Sequence, residues 1–208
     1  MIKAILFDFD GTLVDSTEVI WRQYLQVSEK MGLQPPDRNL FIESLGLPWM
    51  EVLERLWPGL NAEEFTRLYS LDAEALKPVP GSIRFLEHLM GNYTLGLLTS
   101  RSHRTLKQKM DSCGFKEENF SIILTLDEIE YSKPDPRALL HACEKMGLKP
   151  VEVLYVGDSV VDAQCARDAN IRFIGVLSGK TTIEKFLKFK GVNVIESVVD
   201  LPQILKEK

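Results

Sequence analysis

The opening sixteen residues, MIKAILFDFDGTLVDS, constrain the fold more than any other stretch of this chain. An apolar run (Ile2, Ala4, Ile5, Leu6, Phe7) stops abruptly at Asp8-Phe9-Asp10-Gly11-Thr12. A continuous apolar run with β-branched and aromatic members fits a strand buried on both faces, as in a parallel sheet. Acidic side chains at the carboxyl end of such a strand point into the crevice where open α/β sheets bind ligands. Two carboxylates that close repel unless a cation lies between them or one holds a proton, which is the chemistry of a Mg²⁺ site containing a nucleophile or a general acid. The plainer alternative is a polar strand-to-loop junction with Asp10-Gly11 as an ordinary turn.

The chain has 208 residues, room for one solid core or for a core of about 140 residues plus a smaller insert. A formal charge of −5 and a pI near 5.4 argue against a nucleic-acid partner, which selects a basic patch or stripe. A phosphate substrate is compatible with this acidity only if a metal and a few local cations reverse the field at the site. Cys113, Cys143 and Cys165 are widely spaced, form no CxxC and follow helical apolar patterns, which reads as buried free thiols in a reducing compartment. There is no signal-peptide pattern, and no segment approaches about 18 uninterrupted apolar residues. The expectation is a cytoplasmic protein without a membrane partner, monomer or homodimer.

From residue 81 onward, helical and strand patterns alternate over short connections. Strands are expected at 93–99, 120–125, 151–156, 171–177 and 192–195. Helices are expected from 82 to Gly91, at 102–113, 136–146, 159–169 and 182–189, and over 201–205. The fold class is therefore α/β, a Rossmann-like parallel sheet with helices on both faces and right-handed crossovers. Residues 16–78 break the alternation and read as helical throughout. Asp15 with Glu18 forms a capping pattern, and Val19, Ile20, Tyr24, Leu25, Val27 and Met31 make an apolar face. Further helices are expected over 36–45, 48–57 and 61–76, and Trp21, Trp49 and Trp57 all fall in this stretch. The predicted organisation is a core of residues 1–14 and 79–208 with a four-helix cap of residues 15–78. The cap lies over the carboxyl end of the first strand.

Four signals recur at the ends of the expected strands. Asp8 and Asp10 come first. Thr99-Ser100 follows the second strand and offers hydroxyl and N–H groups to an oxyanion. Lys133, fixed within Ser132-Lys133-Pro134-Asp135-Pro136, is a point charge for a phosphate or a carboxylate. Asp158 leaves the fourth strand, and Asp162, four residues on, starts a helix on the same face. Each has a bland reading of its own: a helix cap, a solvated lysine, acids that serve a helix N-terminus. Their order and their common position at strand ends argue for one site. Arg101, His103 and Arg104, directly after Thr99-Ser100, are placed either to reach an anionic substrate or to form a solvated helix start.

DFDGTLVDS, LLTS, SKPDP and GDSVVDA resemble the four signature motifs of the haloacid dehalogenase superfamily of hydrolases. The placement of the insert is similar to the subgroup with a helical cap between motifs one and two, which includes phosphoglycolate phosphatase and β-phosphoglucomutase. The resemblance covers essentially the whole chain and is specific for the superfamily, not for a substrate. It implies that Asp8 attacks phosphorus and forms an aspartyl-phosphate, while Asp10 protonates the leaving oxygen and then activates water. It implies Mg²⁺ on the Asp8 carboxylate, the Asp10 backbone carbonyl and Asp158, with Asp162 binding directly or orienting a metal-bound water. Thr99, with Ser100, would hold phosphoryl oxygens, and Lys133 would balance the charge on Asp8 and the phosphoryl group.

The implied activity is Mg²⁺-dependent hydrolysis of small phosphate esters. Asp10 argues against a dehalogenase, because the resembling dehalogenases lack an acid there. One alternative is a sugar-phosphate mutase. Against it, Trp49 in Gly46-Leu47-Pro48-Trp49 stands where mutase-like caps carry a phosphate-binding arginine, and it can instead cover an apolar or sugar face of a substrate or pack in the cap core. The other alternative is a non-enzymatic, phosphate-binding member of the same fold.

Overall fold

The structure is a computed structural model that describes residues 1–70, 73–179 and 181–205. Its strands are β1 (Ala4–Phe7), β2 (Val14–Asp15), β3 (Lys77–Pro78), β4 (Thr94–Leu98), β5 (Ile122–Leu124), β6 (Val153–Gly157), β7 (Arg172–Val176) and β8 (Asn193–Ile195). Six of them form one parallel sheet in the order β5-β4-β1-β6-β7-β8. The order runs outward in both directions from β1, and such a reversal opens a crevice at the carboxyl ends of the strands.

All four residues of β1 are fully buried, and their alternation feeds two cores. Ile5 and Phe7 point into one, with Leu95, Leu97, Leu154 and Val156. Ala4 and Leu6 point into the other, with Leu98, Val153 and Tyr155. The first core is covered by α5 (Ser82–Leu89), α6 (His103–Cys113) and α10 (Leu201–Leu205), and the second by α7 (Arg137–Met146), α8 (Val160–Asp168) and α9 (Ile183–Phe186). At about 1.5–3 kcal/mol for each large apolar side chain removed from water, β1 alone anchors both layers. The three cysteines are buried and free, as the helical patterns predict.

Between β2 and β3 lie α1 (Thr17–Lys30), α2 (Arg38–Ser44), α3 (Trp49–Leu56) and α4 (Ala62–Leu68). They pack around Ile20, Tyr24, Val27, Phe41, Val52, Leu53, Leu56 and Phe65, a third core that shares no residue with the other two. The chain leaves the sheet and returns to it across one short antiparallel ladder, in which Val14 pairs with Pro78 and Asp15 with Lys77. No helix among the described residues is long and apolar enough to cross a membrane.

Several expected boundaries move. Asp15 does not cap α1; it is exposed in the β2–β3 ladder, and Ser16 stands at the N-cap position without a side-chain bond. Asp37 and Asn61 cap α2 and α4 by accepting from the N–H groups of Leu40 and Glu64. The fourth helix, expected over 61–76, ends at Leu68; residues 71–72 of that expectation lie outside the described residues. The helix expected at 182–189 is the single turn Ile183–Phe186, and the strand expected at 120–125 is Ile122–Leu124.

Candidate active site

Parallel register brings the four signals together. Phe7 lies opposite Leu97 on one side and Val156 on the other, so Asp8, Thr99 and Asp158 emerge at one edge of the sheet. The Asp8 N–H donates to Val156 O at 2.9 Å and the Thr99 N–H to Leu124 O at 3.0 Å, which extends the ladder up to both residues. Asp8, Thr99 and Asp158 are almost fully buried. The turn after Asp10 depends on Gly11, whose φ is +75° and whose missing Cβ leaves room for the Asp158 carboxylate. Thr12 donates to that carboxylate at 3.3 Å.

Lys133, 1% exposed, is the hub of this cluster. Its Nζ donates to Asp8 Oδ1 at 2.9 Å, Asp162 Oδ1 at 2.7 Å and Tyr155 Oη at 3.1 Å. Tyr155 donates in turn to Asp162 Oδ1 at 2.7 Å. The other Asp162 oxygen accepts from Ser159 N at 3.1 Å and from Ser159 Oγ at 2.5 Å, within a capping box at the start of α8. The helix-cap reading of Asp162 thus holds alongside the site reading, and both of its oxygens are taken. Asp8 differs: Oδ1 is on Lys133, and Oδ2 accepts no hydrogen bond among the described residues.

Carboxylate oxygens of Asp8, Asp158 and Asp162 all lie within 4.8 Å of one another, a donor set that could hold a metal ion. Burial drives the electrostatics. It raises the Asp8 and Asp158 carboxyls above their ordinary values, and the neighbouring carboxylates push the same way against Lys133. Burial opposes ionisation of Asp162 too, but Lys133 and the Ser159 and Tyr155 donors outweigh it and hold that carboxyl low. Lys133 is raised by Asp162 and Asp8 despite its own burial. One lysine among three buried carboxylates leaves an excess of hard, anionic oxygen, which suits a divalent cation such as Mg²⁺.

Asp10 sits in a separate pairing. Its Oδ2 accepts from Arg101 Nε at 2.6 Å and its Oδ1 from Lys109 Nζ. Burial would raise this carboxyl, yet the two cations overcome burial and hold it well below the usual range. Lys109 is fully buried, and burial together with Arg101 lowers its ammonium to about 8. The sequence reading did not find Lys109. The available signal was its place on the apolar stripe of α6, between Leu106 and Met110–Cys113, where a charge needs a buried partner.

The cluster opens into a chamber of about 610 Å³ between the sheet edge and the helices of residues 17–68. Asp8, Asp10, Asp158, Thr99, Ser100 and Trp49 line it, whereas Lys133 and Asp162 lie behind Asp8. Ser100, expected to bind substrate, donates its hydroxyl to Gly46 O at 2.5 Å and so ties the α2–α3 loop to the sheet edge. Gly46 adopts φ +91°, and a Cβ there would meet Ser159 Oγ at 2.8 Å. Trp49 belongs to both settings left open by the sequence. Its ring packs on Tyr69 at 4.7 Å and Tyr24 at 5.6 Å, its N–H donates to Thr66 at 2.9 Å, and its remaining surface lines the chamber. Arg101 is no solvated helix start, whereas His103 and Arg104 are exposed.

Comparison with known proteins gives a consistent picture. A family profile described as haloacid dehalogenase-like hydrolase matches residues 5–176. The chain is 29% identical to N-acetylmuramic acid 6-phosphate phosphatase of Pseudomonas putida over 99% of this chain and 95% of that one. It is also 29% identical to phosphoglycolate phosphatase of Chromobacterium violaceum, over 96% of each chain. A crystal structure of a haloacid dehalogenase-like hydrolase from Bacteroides fragilis superposes with a TM-score of 0.87 at 28% identity, covering 97% of this chain and all of that one.

Proposed function

The chain belongs to the haloacid dehalogenase-like hydrolase family, and from that premise we propose that it is a Mg²⁺-dependent phosphatase of small phosphorylated metabolites with Asp8 as nucleophile. The relatives named as phosphatases support the class of reaction, phosphoric monoester hydrolysis. The observation that carries the residue assignment is the asymmetry of Asp8: one oxygen is fixed by Lys133, and the other, in a carboxylate that lines the chamber, is without a donor among the described residues.

Mg²⁺ would be held by Asp8, Asp158 and the Asp10 backbone carbonyl, while Asp162, whose oxygens are both occupied, fixes Lys133. Bound there, the ion supplies the positive charge that lets an anionic nucleophile approach an anionic phosphoryl group. Asp8 attacks phosphorus, the bond to the leaving oxygen breaks, and water later cleaves the aspartyl-phosphate. Lys133 neutralises Asp8 and the transferring group, and Thr99 holds a phosphoryl oxygen. Asp10 protonates the leaving oxygen in the first step and takes a proton from water in the second. Arg101 and Lys109 favour the ionised carboxylate of Asp10, the form that the second step requires. The helical segment of residues 15–78 acts as a cap that excludes water during the first step.

Phosphate release from a panel of phosphorylated metabolites with Mg²⁺, run beside Asp8→Asn, tests this reading. The wild type is expected to release phosphate selectively and the variant to release none while keeping its fold. Near-normal turnover by the variant overturns the mechanism.

A further inference from the structure

The α2–α3 loop is not the only place where the inserted helices grip the rest of the molecule. Glu43, in the last turn of α2, accepts from Lys185 Nζ in α9 at 2.9 Å. Among the described residues this is the one ion pair that joins α1–α4 to the sheet and its covering helices. Neither residue lines the chamber. Lys185 holds the Glu43 carboxyl below its ordinary value, and Arg55 and Lys188 push the same way.

Glu43 stands three residues before Gly46, whose carbonyl accepts from Ser100. The two contacts straddle the reacting groups. Ser100 follows β4 and Lys185 follows β7, and between those strands lie β1 and β6, whose ends carry Asp8 and Asp158. The Lys185 side of the pair is anchored. Its neighbour Phe186 is fully buried in the second core, against Phe173. Ser178 and Gly179, also between β7 and α9, reach the site itself. Ser178 donates to Gly11 O at 2.6 Å, and Gly179 packs so close to the Asp158 carboxylate that a Cβ has no room.

We propose that Glu43 and Lys185 are positioning residues for the hydrolysis: their ion pair seats the α2–α3 loop on the sheet edge and so sets how often the chamber is closed over Asp8. The proposal rests on the phosphatase reading for its kinetic consequence. The two side chains are 30% (Lys185) and 44% (Glu43) exposed, so the attraction is modest and salt screens it. Such a pair shifts an equilibrium by at most about fivefold, and reversing one charge adds repulsion to the lost attraction. Because neither residue reaches the chamber, every ester should lose the same factor.

The test is a charge swap, read by kcat/KM for para-nitrophenyl phosphate with Mg²⁺ and by hydrogen–deuterium exchange of residues 44–48 without substrate. At about 20 mM NaCl, Lys185→Glu and Glu43→Lys should each lower kcat/KM by about three- to tenfold and speed exchange of the loop. The double variant should return both readouts to within about twofold of wild type, which loss of a merely structural side chain would not do. At about 0.5 M NaCl the single variants should approach wild type. Lys185→Gln, which adds no charge, should show the same losses in smaller measure. Single variants within about twofold of wild type in both readouts, or a swap no better than the singles, overturns the pair. If the wild type hydrolyses neither this ester nor the metabolite panel, the phosphatase reading fails instead, and loop exchange alone decides the pair.

Discussion

Lys133 Nζ lies 2.7 Å from Asp162 Oδ1, and neither side chain is accessible to water. Asp162 is therefore the fixed end of the pair, held by Ser159 and Tyr155, and Lys133 is the arm that reaches Asp8. Lys133→Met should lower kcat/KM by at least about 10²-fold, as expected for losing a preorganised charge in a dry site. A loss within threefold would return Lys133 to a structural role.

Asp162→Ala strands the same ammonium with a single carboxylate. Breaking a buried ion pair from one side costs about 3–5 kcal/mol, which urea unfolding monitored by far-UV circular dichroism should register. An Asp162→Ala protein as stable as the wild type would show that Ser159 and Tyr155 do not depend on this carboxylate.

The pairing of Asp10 fixes the direction of a pH effect. Its carboxyl is held below the unfolded value of 3.8, so the unfolded chain binds the proton more readily. The stability it contributes is complete above that value and is lost as pH falls through the folded one. Lys109 works on the alkaline side: lowered from 10.5 to about 8, it makes stability rise with pH across that interval. Urea midpoints of wild type, Asp10→Asn and Lys109→Met between pH 3 and 10 should show the acid loss reduced in the first variant and the alkaline gain reduced in the second.

Gly46→Ala addresses the seat of the α2–α3 loop. The substitution meets a strained φ of +91° and a 2.8 Å approach to Ser159 Oγ. It should displace the loop from Ser100 and lower kcat/KM by about tenfold or more, since small misplacements of a closing segment carry large kinetic penalties. Unchanged kinetics would mean that the loop does not have to seat for turnover.

Chelation is the simplest intervention. EDTA should silence phosphate release, Mg²⁺ should restore it, and Ca²⁺ should replace Mg²⁺ poorly because it relaxes octahedral geometry. Full activity after exhaustive chelation would remove the metal from the reaction.

Much of this was legible in the sequence. Asp8, Thr99 and Asp158 converge because each follows an apolar strand, and strand ends in a parallel sheet share one edge. Lys133 was legible as a charge among turn residues, though its second anchor, Tyr155, read only as one more member of an apolar run. Lys109 was missed because its partner Asp10 lies 99 residues earlier, and local pattern carries no information about such a pair. Ser100 lines the chamber, and its hydroxyl, which suits an oxyanion, donates to the Gly46 carbonyl, a contact that local pattern does not reveal. Asp15 satisfied a capping pattern, but pairing with Lys77 drew its backbone into a ladder instead.

The order of the sheet also governs how the molecule comes into being. Strand β1 is made ahead of both its sheet neighbours, β4 at residues 94–98 and β6 at 153–157. Its apolar residues wait with both edges unpaired through the synthesis of the helical segment, and one edge stays open until β6 is made. Nascent chains with such distant partners are slow to fold and exposed to misassociation. Within its carboxylate cluster Asp8 is made before Asp158 and Asp162, and the last of these follows it by 154 residues.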